Sequence, residues 1–271
     1  MSAMAERFTL SALAVDALRT RLRTTIAPLT PASDLGAPDA ERSDSHREAW
    51  LELDAMGLLD RGEPIPFLAT AFHALHRPSR SVTGSFLVKS LRLNAIAAAS
   101  GEFAVLATQS ESSGTTETDL SMTIERIRPT SLARVVIEVL PPVQAGQGTV
   151  VRLPSHYIQR ATDEGILDTA RLPSAIASAG LRHEDAEVLE RVLTAPRERE
   201  GQISATGFDP LACRTTDAAY RVEFLDTADG RYLTQHRTEP DGREWFTLAP
   251  ADRTMLIGQV EILLSSIGPR I

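Results

Sequence analysis

A single cysteine, Cys213, stands in 271 residues. The chain therefore closes no internal disulfide and offers no thiolate zinc site, so its stability must come from packing, and a reducing compartment suits it. Aromatic residues make up 5%, too few for the stacking platforms that hold single-stranded nucleic acid. Lysine is almost missing: Lys89 is the one lysine among 28 basic side chains. Arginine supplies the rest, and with abundant alanine this composition suits a GC-rich bacterial genome. Positive charge is outnumbered by 36 acidic residues, leaving a net charge of −8, so nothing draws the chain as a whole toward nucleic acid or an anionic membrane. Long hydrophobic runs are also lacking. The richest stretch, Leu132 to Leu140, carries Arg134 and Glu138, and no membrane insertion is expected. The opening Met1–Leu10 includes Glu6 and Arg7 and has no apolar core or small-residue cleavage site of a secretory leader, so a cytoplasmic location is the expectation.

What is present reads as globular: 42% hydrophobic and 24% charged residues, close to the usual soluble composition. The length exceeds that of a typical domain, which points to one large domain or two coupled halves. Apolar periodicity predicts a first helix after Leu10, capped by Ser11 and carrying Leu13, Ala14, Leu18 and Leu22. Pro28, Pro31 and Pro38 interrupt regular structure. A second helix carries Trp50, Leu51, Leu53, Met56 and Leu58 and ends at Gly57 or Gly62; a third follows Pro66 with Phe67, Leu68, Phe72 and Leu75. From Arg80 the period changes to two. Val82, Gly84, Phe86 and Val88 alternate with Ser81, Thr83, Ser85 and Lys89, and Leu87 breaks the pattern. Further strands are expected over Leu91–Ala99, Gly101–Gln109 and Asp119–Arg128, with Glu111–Thr118 as a long hairpin loop, and Pro129 and Ser131 open a helix that stops at Pro141-Pro142.

The second half repeats this order. The Gln144–Gly148 loop leads to a short strand and a helix near Ser155–Ala161; two helices then span Leu172–Ala179 and Glu184–Thr194, forming a helical bundle. Strands follow at Gly201–Phe208, Tyr220–Asp226, Arg231–Arg237 and Glu244–Ala249, with Asp229-Gly230 and Asp241-Gly242 as hairpin turns. A last helix carries Met255, Leu256, Val260 and Leu263. Placing Pro129 over Pro250 sets Ile124 on Trp245 and Val136 on Ile257, so each half ends strand, proline, helix. The expectation is an α+β fold in one domain over 1–271: a central, largely antiparallel β-sheet built from two pseudo-symmetric halves, roughly 1–142 and 143–271, that pair edge to edge, with flanking helices and the bundle.

Catalytic motifs are sparse. His73 and His76 stand three apart on a helix without an acidic residue at ligand spacing or an HExxH pattern. Gly146-Gln147-Gly148 lacks the third glycine of a dinucleotide loop, and Ser85 lies in a strand pattern rather than a nucleophile elbow. Glu111, Glu117 and Asp119 depart from calcium-loop spacing, and Cys213 reads as a small buried residue near a strand. No catalytic, cofactor-binding or metal residue is assigned. One alternative stays open: an enzyme or small-molecule-binding α+β protein whose site is assembled from dispersed residues such as His73, His76, Asp226 and Arg231.

The tail carries the most specific pattern: Gly201-Gln202, Val222-Glu223-Phe224-Leu225-Asp226-Thr227, Asp229-Gly230-Arg231-Tyr232-Leu233, Trp245, and Thr247-Leu248-Ala249-Pro250-Ala251-Asp252. Together with Val150–Pro154 and the Ala179–Thr194 segment, it resembles the EspG family, the cytosolic chaperones of ESX (type VII) secretion in actinobacteria. The resemblance implies a central sheet with a helical bundle and no enzymatic activity. The implied partner is a helical secretion substrate, a PE–PPE-like heterodimer held at the hydrophobic tip of its PPE member. Burying such a tip removes an aggregation liability by binding free energy alone, with no cofactor. By the same analogy the client contact falls on the sheet face and bundle, with Met122, Ile124, Leu172 and Val188 as candidate contacts, and Ser110–Thr118 as a flap near the partner. A homodimer stays open, because its apolar faces are indistinguishable from core in a sequence.

Overall fold

The computed structural model describes residues 6–26, 39–112, 120–163, 166–167, 170–209 and 213–267. Pro28, Pro31 and Pro38, and the flap residues 113–118, lie outside them. A short strand, β1 (Arg7–Leu10), runs into α1 (Ala12–Leu22), where the Ser11 hydroxyl accepts the Ala14 amide at 3.1 Å and satisfies a free donor of the first turn. Next come α2 (Asp39–Ala55), the small hairpin β2 (Leu59–Asp60) and β3 (Glu63–Pro64), and α3 (Pro66–His76). Gly57, at φ 68°, follows the end of α2, the left-handed position that terminates helices. Four strands form a meander: β4 (Arg80–Val88), β5 (Leu91–Ser100), β6 (Phe103–Ser112) and β7 (Met122–Ile127). Glu111 and Ser112, expected in a loop, are the last residues of β6. A 3-10 turn at Pro129–Ser131 opens α4 (Leu132–Glu138).

The second half begins with β8 (Val151–Pro154) and α5 (Ser155–Arg160), then the hairpin β9 (Thr162–Asp163) and β10 (Ile166–Leu167). Helices α6 (Leu172–Ala179) and α7 (His183–Thr194) complete the bundle. Strands β11 (Arg199–Asp209), β12 (Arg214–Asp217), β13 (Val222–Thr227), β14 (Gly230–Thr238) and β15 (Glu244–Pro250) precede α8 (Arg253–Ser266). Asp252 caps α8 by accepting the Met255 amide at 2.8 Å. Periodicity and turn signals do not foretell β1 or β12. Each is only four residues long, below the length at which alternation can be recognised.

Among the described residues these strands build one 11-stranded sheet in the order β1-β7-β6-β5-β4-β11-β13-β14-β15-β8, with β12 alongside the outer part of β11. Every neighbouring pair in it is antiparallel. The halves meet where β4 pairs β11, from Arg80 opposite Gly207 to Val88 opposite Arg199, which removes one exposed edge from each meander. Burial matches the halves in a different register from the proline alignment. Leu132, Val136 and Leu140 take the places of Leu256, Val260 and Leu264, and Met122 and Ile124 those of Phe246 and Leu248; all are buried. The match is three residues further along than Pro129 over Pro250, because packing fixes which helix and strand faces correspond and the proline does not.

One face of the sheet centre is closed by α4 and α8. There Val82, Phe86, Ala95, Ala97, Ile203, Val222 and Phe224 meet Leu132, Val136, Leu256, Val260 and Leu263. Gly201, opposite Phe86 in register, leaves space for that ring: a Cβ there would stand 2.6 Å from it. The opposite face is covered in two separate places. Leu10, Leu18, Leu53, Leu68 and Phe72 pack on Ile96, Val105, Met122 and Ile124, while Ile158, Leu172, Ile176, Leu189 and Val192 pack on Val151, Leu225, Tyr232 and Phe246.

Candidate functional site: a trough over the sheet centre

Between these two covered patches the sheet centre is left open on one face. A trough of about 1000 Å³ lies over it, lined by strand residues from β4, β5, β11, β13, β14 and β15 and walled by Ile158, Gln159 and Leu193 of α5 and α7. Register defines its floor. One row runs Arg92, Leu87, Glu200, Leu225 across β5, β4, β11 and β13; the next runs Asn94, Ser85, Gln202, Glu223, Thr234 and reaches β14. Directly opposed residues share a face, so both rows look into the trough. The floor is mostly polar, which suits a sheet face left to water. Leu225 and Phe246 are apolar but buried, whereas Leu87 is 41% exposed in the middle of this floor. The residue that broke the alternation of β4 therefore marks the open face.

Several side chains here are already tied. Arg197 pairs with Glu200, Arg221 donates to Gln202 at 2.9 Å, and Gln159 donates to Glu244 at 3.2 Å. His236 lies 3.2 Å from the Ser155 hydroxyl and 5.1 Å from the Phe246 ring. Ser155 is fully buried, so that pair presents no hydroxyl to a substrate. The trough can grip a surface by shape, apolar contact and charge.

The dispersed residues of the alternative reading are not brought together. His73 is exposed on α3, and His76 Nδ1 accepts the Thr25 amide at 3.2 Å. Asp226 and Arg231 face each other across the β13–β14 hairpin, both fully buried, joined by contacts of 2.6 and 2.9 Å. They hold the inter-half segment. Arg231 Nη2 donates to the Pro141 carbonyl at 3.4 Å, the Gly146 amide donates to the Arg231 carbonyl and the Arg231 amide to Gln144, each at 2.9 Å. Tyr232 Oη donates to the Gln147 carbonyl at 3.0 Å. Gly146 lies flat on the Tyr232 ring, where a Cβ would sit 2.1 Å from a ring carbon. What reads as a glycine-rich turn is a strap, and the Asp-Thr and Gly-Arg-Tyr-Leu signature fastens it.

Of the candidate contacts, Met122 and Ile124 are 1% and 0% exposed in the core that α1 and α3 share, and Leu172 is fully buried among the bundle helices. Val188 is half-buried on α7 and packs beside Gly148 of the strap. None of the four lines the trough. Cys213, read as buried, is exposed at φ 48°: it sits in the turn entering β12, a strand not anticipated. Among the described residues no group of three His, Cys, Asp or Glu is placed to hold a metal, and no helix is long and apolar enough to cross a membrane.

Comparison with known proteins gives one family and one fold. The EspG family model matches residues 11–261. The type VII secretion system chaperone EspG5 of Mycobacterium tuberculosis, solved in complex with a PE25–PPE41 dimer, superposes with a TM-score of 0.71 over 97% of each chain at 13% identity. HtdX of the same organism aligns over 91% of this chain and 98% of its own at 14% identity, but its TM-score of 0.16 carries no argument. No curated protein sequence matches the chain.

Proposed function

Because the chain belongs to the EspG family, we propose that it is a non-enzymatic, cytoplasmic chaperone of a type VII secretion system that holds a helical PE–PPE-like heterodimer at the apolar tip of its PPE member. Family membership over most of the chain carries this reading, and the open trough supports it with a place for such a tip. The fold suits the task. Two helical groups and a sheet closed from behind make a stiff cradle, and a stiff receptor loses little conformational entropy on binding. Leu87 supplies an apolar contact, and the polar rows around it keep the empty floor soluble. Met122, Ile124 and Leu172 serve by anchoring the helices at either end of the cradle, and Val188 by holding α7 against the strap. The chain forms one domain of two pseudo-repeat halves, roughly 1–142 and 143–271, joined at β4 and β11.

Co-expression with the PE–PPE pair encoded beside this chain's own gene, followed by gel filtration, tests the reading. A co-eluting complex that keeps the pair soluble is expected. Separate elution from every PE–PPE pair of the source genome refutes it.

A further inference from the structure

We infer that the trough is electrically polarised and that this polarity sets which way round a client tip lies in it; the inference rests on the chaperone reading above. Two charged groups by the floor are engaged within the chain: Glu200 pairs with Arg197, and Arg221, which keeps its charge, donates to the neutral Gln202 opposite Glu223. Three are not. The side chains of Lys89, Arg92 and Glu223 have no ion-pair or hydrogen-bond partner among the described residues. Their positions are ordered by the register. Lys89 occupies the β4–β5 turn at φ 58°, and Arg92 begins the first floor row next to Leu87. Glu223 lies one row further in and two strands beyond β4, between Gln202 and Thr234. Glu111 of β6 stands opposite Arg92 in register but does not reach ion-pair distance.

The trough therefore presents Arg92 and an exposed leucine at its β4–β5 end, with Lys89 on the turn just beyond them, and across the sheet the Glu223 carboxylate, near which Arg221 is held on Gln202. Charges left unpaired on a concave surface are available to a partner, and complementary charges fix orientation and steer encounter more than they add raw affinity. The complementary surface is a helical tip with an apolar residue seated on Leu87, an acidic residue facing Lys89 and Arg92, and a basic or amide-bearing residue facing Glu223. A tip with the opposite order meets like charge at both ends and is rejected.

Affinity for the PE–PPE pair encoded beside the gene, measured at low and high salt, tests this with R92E, E223R, the milder E223Q, and L87D, each checked for folding by its melting curve. R92E and E223R are expected to weaken binding about tenfold each, with a flatter salt dependence, since a reversed exposed pair costs on the order of 1–2 kcal/mol. Reversing the facing charge on the PPE tip restores binding. Lys89 is the one lysine of the chain, so a short amine-to-carboxyl crosslinker should join it to an acidic residue of the tip. K89R, which keeps the charge and removes the amine, should lose that crosslink. If L87D abolishes binding while the charge variants and their salt dependence match the parent, the polarity is wrong and the docking site stands. If L87D also binds like the parent, the client docks elsewhere and both fall. If no pair binds the parent chain, the chaperone reading itself fails.

Discussion

Substituting Asp226 by alanine separates a structural fastening from a functional charge. Asp226 and Arg231 are both fully buried and meet through two hydrogen bonds of 2.6 and 2.9 Å. Removing the carboxylate leaves the guanidinium with the Pro141 carbonyl at 3.4 Å and the face of Phe224 at 4.8 Å, and neither replaces a counter-charge. An uncompensated buried charge of this kind costs about 3–5 kcal/mol, a large share of the roughly 5–15 kcal/mol that holds a domain together. With a urea slope of about 3 kcal/mol/M the unfolding midpoint should fall by roughly 1–2 M. Arg231→Met should cost less, because Asp226 keeps Arg199, 3.5 Å away and partly solvated. The apolar pair Asp226→Leu with Arg231→Met should recover most of the loss, since a well-packed isostere of a buried ion pair is often neutral or better. Unfolding followed by the fluorescence of Trp50 and Trp245 and by circular dichroism gives all four values. A loss below about 1 kcal/mol for Asp226→Ala, or a double variant worse than either single one, refutes the view that the pair is a fastening whose removal strands a charge.

Gly146→Ala should destabilise by about 1–3 kcal/mol, because its methyl group would enter the Tyr232 ring and a packed core yields little; a melting temperature equal to the parent's would show that the strap is loose. Phe72→Ala removes a fully buried ring between α3 and the sheet and should cost about 3–5 kcal/mol in chemical denaturation. Cys213 is exposed, so one thiol should react with a chromogenic disulfide reagent in the native state about as fast as in denaturant, and protection would contradict its place in the turn before β12.

Much of this fold was legible because the strands are long and some, β4 above all, alternate over most of their length. Val82, Gly84 and Phe86 on one side and Thr83 and Ser85 on the other announce a sheet with one dry and one wet face, and the Asp229-Gly230 and Asp241-Gly242 turns fix which strands are neighbours. The edge-to-edge junction followed from the need to hide two meander edges. The strap was not legible. Gln144–Gly148 has the composition of a turn, and its role depends on backbone partners in β14, some 85 residues away, to which periodicity is blind. The site was half legible. The family resemblance pointed to Met122, Ile124, Leu172 and Val188 as contacts; three of the four are buried in the core. The useful signal was the misfit, Leu87, an apolar side chain on the wet face of its strand.

That misfit follows from how the sheet divides its work. Its stability rests on the three packed cores, under α4 and α8, under α1–α3 and under the bundle, and on the β13–β14 hairpin that grips the strap, since the fully buried rings, branched chains and ion pair lie there. The trough floor contributes little to folding because its residues are polar and wet. A wholly apolar floor would expose a contiguous hydrophobic patch, a liability for aggregation. One exposed leucine, framed by amides, hydroxyls and charged groups, avoids such a patch. Substitutions at Leu87, Arg92 and Glu223 should consequently move stability by only about 0.5 kcal/mol while moving client affinity far more, whereas substitutions at Asp226, Gly146 and Phe72 should do the reverse.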